Sequence, residues 1–344
     1  MRPIRAVIYG VGSMGALIAP MLLHKGVEIV GAIGRNPAKL GRDLAEVAHL
    51  EAATGIIVDD DAPQVLGTCG ADIAVVSVGS LVGAMYDHFR VCLENGVNVI
   101  TIEEESLYPW LTSSSLSAEL DELAKRHGVT LTGSGIQDVY WVKLVSGVVG
   151  SMLQLERVEG RAQWNVDDFG PEVAREFRVG ATREAFHEAV SGDGWYSPTV
   201  RNTLDALAAE LGLTVERSHA RVTPVLAAAD SRSKSLAQMI PAGRVSGVVE
   251  AVRIETREGP TLEFEMTGRV YDQPLDADTS EWLIRGEPAA VRLANAGYST
   301  RLLTGSIIAN RIPDVLNAEP GLVTIDQLPP ARYRPLPLGD YVRW

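Results

Sequence analysis

The feature that most constrains the fold is a glycine-rich turn near the start of the sequence. A largely apolar run from Ile4 to Tyr9 is followed by Gly10-Val11-Gly12-Ser13-Met14-Gly15, and a helical pattern continues through Leu22. G-x-G-x-x-G between a strand and a helix is typical of dinucleotide-binding folds. The first glycine permits the turn, the second leaves room for a pyrophosphate, and the third lets the helix pack on the strand. We therefore expect these six residues to bind a dinucleotide, with the helix N-terminus facing its phosphates.

The composition is that of a globular protein and excludes several classes of partner. The 344 residues are 46% hydrophobic, which favours two domains with a sizeable core. The net charge is −13 and no stretch is dense in Lys or Arg, so we expect neither a nucleic-acid nor a membrane partner. A strand beginning at Ile4 leaves no room for a signal peptide, and no apolar run is long enough to span a membrane. The two cysteines form no CxxC and the six histidines are scattered, which predicts a cytoplasmic protein without a metal site.

The first 140 residues alternate between strand and helix patterns. Apolar strand segments are predicted at 27–33, 55–58, 71–78, 97–102 and 129–132. Helical segments are predicted between them at 37–48, with Pro37 in the first turn, and at 81–94 and 115–127. Repeated β-α-β units predict a doubly wound parallel sheet of the Rossmann type. We therefore interpret residues 1–140 as a dinucleotide-binding domain whose ligand lies at the carboxyl ends of the strands.

The pattern changes after about residue 150. Alternating segments at 153–164, 245–255 and 261–271 predict strands with one wetter face, and helical patterns occur at 171–178, 199–212, 280–296 and 300–317. We expect residues 141–299 to form an α+β domain with an open mixed or antiparallel sheet, used for substrate binding and dimerisation. Residues 300–344 are expected to pack back on the first domain. A poorly covered sheet face would suit a homodimer.

The residues after the second strand bear on the choice of dinucleotide. In this fold a carboxylate there usually binds the adenosine ribose, but the sequence has Gly34-Arg35-Asn36 and then Lys39. Gly34 leaves space, and Arg35 is suited to a 2′-phosphate. We therefore expect NADP to be preferred, with NAD tolerated. Ser77, Val78 and Gly79, at the end of the fourth predicted strand, should also lie against the cofactor.

Three adjacent carboxylates follow the fifth predicted strand. Glu103, Glu104 and Glu105 should lie near the nicotinamide, because this strand end belongs to the ligand edge of the sheet. If the chain stays extended, Glu104 faces the opposite side from the other two, and only one side faces the cleft. Crowded, partly buried carboxylates have raised pKa values, which suits proton transfer near neutral pH. The residues alone leave open which of the three acts.

At this point the sequence resembles a known family. The segments GVGSMG, VSVGS and TIEEESLYPW are similar to those of 2,4-diaminopentanoate dehydrogenases and native amine dehydrogenases, which belong to the dihydrodipicolinate-reductase-like Rossmann enzymes. The segment NRIPDVLNAEPGLVTI at 310–325 is similar as well. In that family a Glu in a T-x-E-E motif is the essential acid and base, which corresponds best to Glu104. The third acid, Glu105, departs from the family pattern, so Glu103 and Glu105 stay possible alternatives. The segment 135–141 departs from it as well, which leaves the pocket shape and the substrate open.

The resemblance implies reductive amination. A small ketone or aldehyde would condense with ammonia and the imine would accept hydride from the cofactor, with Glu104 assisting; the reverse reaction would deaminate a primary amine. Tyr140, Trp141 and Trp164, with Trp195 and Tyr196, are candidates for an apolar substrate pocket or for core positions. Arg161 is a candidate anchor for an acidic substrate, or an exposed strand residue.

Other functions fit the sequence less well. Dihydrodipicolinate reductase needs a His-His pair and related sugar dehydrogenases have E-K-P at the strand end, and the sequence contains neither motif. Semialdehyde dehydrogenases need a nucleophilic Cys, and neither Cys69 nor Cys92 lies at a plausible site for one. A hydrolase is not supported because G-x-S-x-G is absent. A related imine reductase or another NADP-dependent dehydrogenase stays an alternative, as does a redox sensor that binds NADP without turnover.

Overall fold

A computed structural model describes residues 2–191 and 198–344. The strands, in chain order, are β1 Arg5–Tyr9, β2 Glu28–Ile33, β3 Val58–Asp59, β4 Ile73–Val76, β5 Asn98–Thr101, β6 Thr130–Gly133, β7 Gln154–Asn165, β8 Val215–Leu226, β9 Ser231–Ser233, β10 Gln238–Ile240, β11 Val245–Thr256, β12 Thr261–Arg269, β13 Asp278–Glu287, β14 Val291–Tyr298 and β15 Gly321–Leu322. The α-helices are α1 Ser13–His24, α2 Leu44–Ala48, α3 Ala62–Cys69, α4 Val82–Glu94, α5 Ser114–His127, α6 Leu144–Val149, α7 Pro171–Glu176, α8 Arg183–Val190, α9 Pro198–Glu210 and α10 Thr300–Leu316. A π-helix, Gln137–Lys143, precedes α6.

The chain divides into two compact units. The first contains Met1–Val139 and Leu302–Trp344, and the second contains Tyr140–Arg301. The sheet of the first unit has seven parallel strands in the order β15-β6-β5-β4-β1-β2-β3. Its central strands are buried on both faces, as expected when helices cover both sides of a parallel sheet.

The second unit contains a six-stranded sheet in the order β14-β13-β7-β12-β11-β8. Strands β7 and β12 are parallel and the other neighbours are antiparallel, so the sheet is mixed. One face carries buried apolar side chains such as Trp282 and Phe264, while alternate residues of the same strands are partly exposed. The predicted fold class, a parallel Rossmann sheet followed by an α+β domain with a mixed sheet, is therefore confirmed.

The structure corrects the predicted helix at 280–296, which is the hairpin of β13 and β14. Ser280, Trp282 and Ile284 are buried while the residues between them are more exposed, and this period of two is that of a strand. The sequence analysis also missed several elements, namely helices α3, α6 and α8, the edge strand β8 and the short strands β9, β10 and β15. Strand β8 alternates weakly because all of its residues are exposed or only partly buried.

The predicted helix at 37–48 is also wrong in its first half. The residues before Asp43 form turns, and only α2 is helical. The Asp43 carboxylate accepts a hydrogen bond from the Ala45 backbone N–H at 2.7 Å, which makes Asp43 the N-cap. A side-chain hydrogen bond from Ala38 N–H to Asn36 Oδ1 favours a turn upstream. The predicted strand at 55–58 is shortened to the two residues of β3.

The residues that the structure describes contain neither a membrane-spanning helix nor a cluster suited to a metal ion. Among residues 2–191 and 198–344, no helix combines the length and apolar character needed to cross a bilayer. Within the same ranges, no group of three His, Cys, Asp or Glu side chains has a geometry suited to a metal ion.

Candidate active site

The segment Gly10–Gly15, called the glycine turn below, connects β1 to α1 at the carboxyl edge of the parallel sheet. Gly10 has φ +100°, and a Cβ there would lie 2.5 Å from the Ser77 carbonyl oxygen. A Cβ on Gly15 would lie 2.0 Å from the Gly10 carbonyl oxygen, so this glycine is needed for close packing of helix on strand. At Gly12 a Cβ would meet nothing within 4 Å. The protein itself therefore leaves space beside Gly12, in the place where the motif predicts a pyrophosphate.

The start of α1 suits an anionic group as well. Gly12 is the N-cap residue and has no side chain to accept a hydrogen bond from the first turn. The N–H groups of a first helical turn have no intrahelical acceptors and carry partial positive charge. The residues of the glycine turn thus fit the phosphates of a dinucleotide.

Two side chains hold the glycine turn in place. The Ser77 hydroxyl donates a hydrogen bond to the Gly10 carbonyl oxygen at 2.9 Å, and the Lys39 ammonium donates to the Val11 carbonyl oxygen at 2.6 Å. Both residues were predicted to lie near the cofactor for their position after a strand. The structure gives each a bracing contact that sequence spacing did not reveal.

The residues after β2 present a cationic surface near this turn. Arg35 and Asn36 are exposed, while Gly34 is half-buried. The hydroxyl oxygen of Tyr9 lies 2.8 Å from Nδ1 of His88. The positive charge of Arg35 is close enough to act electrostatically on His88. Burial lowers the pKa of His88, and the Arg35 charge lowers it further. At the end of β4, Val78 is 49% exposed, whereas Gly79 is half-buried and closely approached by Met85.

The three carboxylates after β5 lie in a tight turn, residues 103–106, which we call the glutamate turn. Strand β5 ends at Thr101, Glu104 has helical backbone angles, and a single 3₁₀ turn covers Glu105–Leu107. The chain is therefore not extended here, and the alternation of a strand does not decide which side chain faces the ligand edge.

Glu103 is a structural residue of this turn. Its side chain is 1% exposed and accepts hydrogen bonds from the backbone N–H groups of Glu105 and Ser106, both at 2.8 Å. The Ser106 hydroxyl donates to the same carboxylate. Burial raises the pKa of Glu103 well above its usual value, the Ser106 hydroxyl opposes this shift, and the neighbouring acids Glu104 and Glu105 add to it. The raised pKa expected for this cluster is thus found at Glu103.

Glu105 caps a helix. It is 3% exposed, accepts a hydrogen bond from the Val82 backbone N–H at 2.8 Å, and accepts another from the Ser113 hydroxyl at 2.7 Å. Val82 is the first residue of α4, and the N-cap residue Leu81 provides no side-chain cap. A carboxylate at this position satisfies an N–H group of the first turn and interacts favourably with the helix dipole.

Glu104 differs from its two neighbours because its side chain is partly exposed. It lies between two acids whose oxygens bond to buried backbone N–H groups of the turn and of α4. The end of β6 packs closely against this turn, because a Cβ on Gly133 would lie only 2.5 Å from the Ser106 carbonyl carbon. The backbone of β6 is therefore in direct contact with the glutamate turn.

The predicted aromatic residues separate into two groups, both in the second unit. Trp141 is 3% exposed and meets Phe264 edge to face at 4.9 Å, whereas Tyr140 is half-buried beside Tyr298. Trp164 is 9% exposed and packs against Phe169 and Phe177. Trp141 and Trp164 thus occupy core positions of this unit. Trp195 and Tyr196 lie outside the described residues.

Arg161 lies on the opposite face of β7 from Trp164. Its strand neighbours Gly160 and Ala162 are buried, while Arg161 is exposed. It pairs across the sheet with Glu281 and Glu265. Of the two alternatives given for Arg161, the structure shows an exposed strand residue, on the face opposite to Trp164 because residues three apart on a strand point to opposite faces.

Comparisons with known proteins agree with this geometry. The family model for the 2,4-diaminopentanoate dehydrogenase C-terminal domain matches residues 141–334, more than half of the chain. The chain belongs to the 2,4-diaminopentanoate dehydrogenase family. The model for the dihydrodipicolinate reductase N-terminus matches residues 4–102, which include the glycine turn.

Two similar proteins align with this chain over nearly the full length of both chains. A 2,4-diaminopentanoate dehydrogenase from Acetoanaerobium sticklandii is 27% identical over 96% of this chain and 95% of its own. A solved amine dehydrogenase from Mycobacterium smegmatis has a TM-score of 0.93 and 48% identity, covering 97% of this chain and 98% of the other. A solved myo-inositol 2-dehydrogenase from Lactobacillus plantarum has a TM-score of 0.60 at 14% identity, covering 95% and 93%, and shares the fold alone.

Membership in the 2,4-diaminopentanoate dehydrogenase family confirms the resemblance drawn from the sequence. The chain is an oxidoreductase of the class that acts on CH–NH₂ donors. Its Rossmann unit implies a nicotinamide cofactor, and the glycine turn fits that group.

Proposed function

We propose that the protein is an NAD(P)-dependent amine dehydrogenase in which Glu104 is the acid and base. In the forward direction a small ketone or aldehyde, ammonia, a reduced nicotinamide and a proton give a primary amine, an oxidised nicotinamide and water. The reverse reaction is the oxidative deamination of that amine. The names of the similar proteins support the reaction class, and the Glu104 assignment rests on the glutamate turn.

One observation carries the assignment of Glu104. Glu103 and Glu105 are each almost fully buried and accept hydrogen bonds from backbone N–H groups, so moving either carboxylate would disturb the turn or α4. Glu104, between them, is the partly exposed acid at the carboxyl end of β5. In open α/β sheets ligands bind at this edge.

The chemistry needs a group that both gives and takes protons. As ammonia attacks the carbonyl carbon, the Glu104 carboxylate would take a proton from nitrogen, and it would return that proton to the hydroxyl that leaves as water. Its negative charge would then stabilise the iminium ion that forms. The cofactor, when bound, supplies the hydride; the protein supplies position and charge.

We propose NADP as the preferred cofactor, with NAD tolerated. The exposed Arg35 follows β2, where the ribose of a dinucleotide lies in this fold, and its planar guanidinium matches phosphate oxygens. Gly34, the residue before Arg35, has no side chain and so leaves space for the phosphate. Lys39 contributes by holding the Val11 carbonyl, and hence the glycine turn.

We propose a cytoplasmic homodimer formed through the partly exposed face of the six-stranded sheet. That face carries a ladder of ion pairs, which includes Arg157 with Glu263 and Arg285 with Glu159. Substrate contacts by Tyr140, Trp141 and Trp164 also stay predictions; Tyr140, which is half-buried, is the best placed of the three to touch a ligand.

The test is the substitution Glu104→Gln, which keeps the size of the side chain but removes its charge and proton exchange. The purified protein is mixed with ammonia, NADPH and a panel of small ketones and aldehydes, and NADPH absorbance is followed. We expect kcat to fall by about 10²–10⁴-fold in E104Q, as for loss of a general acid and base. The affinity for NADPH, measured by fluorescence, should not change.

Glu94→Gln is the matched control, because Glu94 is an exposed carboxylate at the end of α4 that forms a surface ion pair with Arg90. It should turn over like the wild type. Near-wild-type turnover by E104Q, with an inactive E103Q or E105Q that keeps its fold, would move the role to another acid of the turn.

A further inference from the structure

A buried ion pair connects the start of the π-helix that follows β6 with α10. Asp138 and Arg311 are both fully buried and lie 173 residues apart in sequence. Arg311 Nη2 donates to Asp138 Oδ1 at 2.7 Å, and Arg311 Nε donates to Asp138 Oδ2 at 2.8 Å. Two parallel hydrogen bonds between a guanidinium and a carboxylate fix the relative orientation of both groups.

The pair reaches the glutamate turn through two short steps. The Ser134 hydroxyl donates to Asp138 Oδ2 at 2.7 Å, and the Ser134 backbone N–H donates to the Thr101 carbonyl oxygen at 2.9 Å, at the end of β5. Gly133, immediately before Ser134, is the residue whose Cα lies against the Ser106 backbone. A continuous series of hydrogen bonds and backbone contacts therefore joins Asp138 to the end of β6 and to the turn that carries Glu104.

Arg311 is held on its other side by the C-terminal segment of the chain. Its Nη1 donates to the Pro329 carbonyl oxygen and lies 3.4 Å from Asp314 Oδ2. The other Asp314 oxygen pairs with Arg334 at 2.6 Å. Arg311 thus joins the segment 134–138, α10 and the C-terminal segment, while Arg334 belongs to the same network one pair further from β6.

Stability alone is a weak reason for such a pair. Removing two charges from water is costly, and well-packed apolar side chains of similar volume are often equally stabilising. What a bidentate pair adds is a defined geometry, because the planar guanidinium accepts few alternative arrangements.

We propose that the Asp138–Arg311 pair is a positioning device that sets the place of Glu104 through Ser134, Gly133 and the glutamate turn. The proposal rests on the function proposed above, in which Glu104 handles the proton. Neither residue of the pair touches the substrate in this scheme. The pair acts by holding the backbone of β6 against the turn.

The test compares Arg311→Lys with Arg334→Lys in the full-length protein. Lysine keeps the charge but cannot make both bonds to Asp138 and the bond to Pro329 in one fork. We expect R311K to lower kcat by about 10–100-fold, the scale of a small misplacement of a reacting group. The KM and the dissociation constant for NADPH should not change. R334K, the matched control, should lower the melting temperature while kcat per folded molecule stays at the wild-type value.

A double-mutant cycle separates positioning from general damage. If the pair acts through Glu104, R311K should slow the wild type but not slow the residual reaction of E104Q any further. An equal fold-loss in both backgrounds, or wild-type turnover by folded R311K, would overturn the proposal. Wild-type turnover by E104Q would instead refute the proposed function, whatever R311K does. If R311K does not fold, the double variant Asp138→Asn, Arg311→Gln removes both charges together. It then takes the place of R311K in the cycle with E104Q.

Discussion

Glutamine at position 105 should weaken the fold and leave the chemistry intact. Glu105 serves as the cap that α4 lacks in its own sequence, since its carboxylate bonds to Val82 N–H and to the Ser113 hydroxyl from a site that is 3% exposed. Glutamine has the same length but offers one carbonyl oxygen and an NH₂ group. Its oxygen can accept from Val82, in which case the Ser113 hydroxyl can rotate to accept from the NH₂ group.

The expected cost follows from these contacts. Hydrogen bonds to a charged group contribute about 1.5–3 kcal/mol, and the interaction of a carboxylate with a helix N-terminus contributes about 0.3–1 kcal/mol. Glu105→Gln keeps both contacts as weaker, neutral hydrogen bonds and loses the helix-dipole interaction. We therefore expect a loss of about 2–3 kcal/mol in the free energy of unfolding. For a domain of this size that corresponds to a fall of roughly 4–12 °C in melting temperature.

The assay combines thermal unfolding, followed by circular dichroism, with turnover measured well below the melting temperature of the variant. E105Q should unfold earlier and keep a kcat close to that of the wild type, the opposite of E104Q. An unchanged melting temperature would refute the capping role. A loss of kcat similar to that of E104Q, in a protein that is fully folded at the assay temperature, would refute the division of roles within the glutamate turn.

Two further predictions concern the cofactor and the pH dependence of stability. Arg35→Ala should weaken NADPH binding by about tenfold while NADH binding changes little, as expected for loss of a charged hydrogen bond to the 2′-phosphate. Gly34→Asp should shift the cofactor preference towards NAD. The position has room for a side chain, because the nearest atoms to a Cβ there belong to Val58 and Val11 at 3.4 Å or more. Fluorescence titration with both cofactors measures this, and equal loss of both would contradict it. Burial raises the pKa of Glu103 above the ordinary value of 4.5, so the folded state holds this proton more tightly than the unfolded state. The free energy of unfolding of the wild type should therefore fall, relative to that of Glu103→Gln, as the pH rises from about 4.5 through the raised pKa. If the melting temperatures of the two proteins keep a constant difference over that pH range, a raised pKa at Glu103 is excluded.

The sequence by itself determined the fold class and the cofactor edge. The glycine turn could be identified because its geometry depends on backbone freedom at fixed spacings, and the order of strands and helices because periodicity is a local property. Local patterns also allowed Arg161 to be an exposed strand residue, as it is in the structure. They misled at 280–296, where an alternating hairpin was interpreted as a helix.

The tertiary structure decided the burial and hydrogen-bond partners of Glu103 and Glu105, on which the proposed role of Glu104 rests. They depend on a 3₁₀ turn, on Val82 and Ser113, and on the end of β6, none of which the T-x-E-E spacing specifies. The Lys39 brace and the Asp138–Arg311 pair were equally out of reach of local patterns. The physical reason is that burial and hydrogen-bond partners are set by segments distant in sequence, and these decide whether a carboxylate supports the fold or faces the ligand edge.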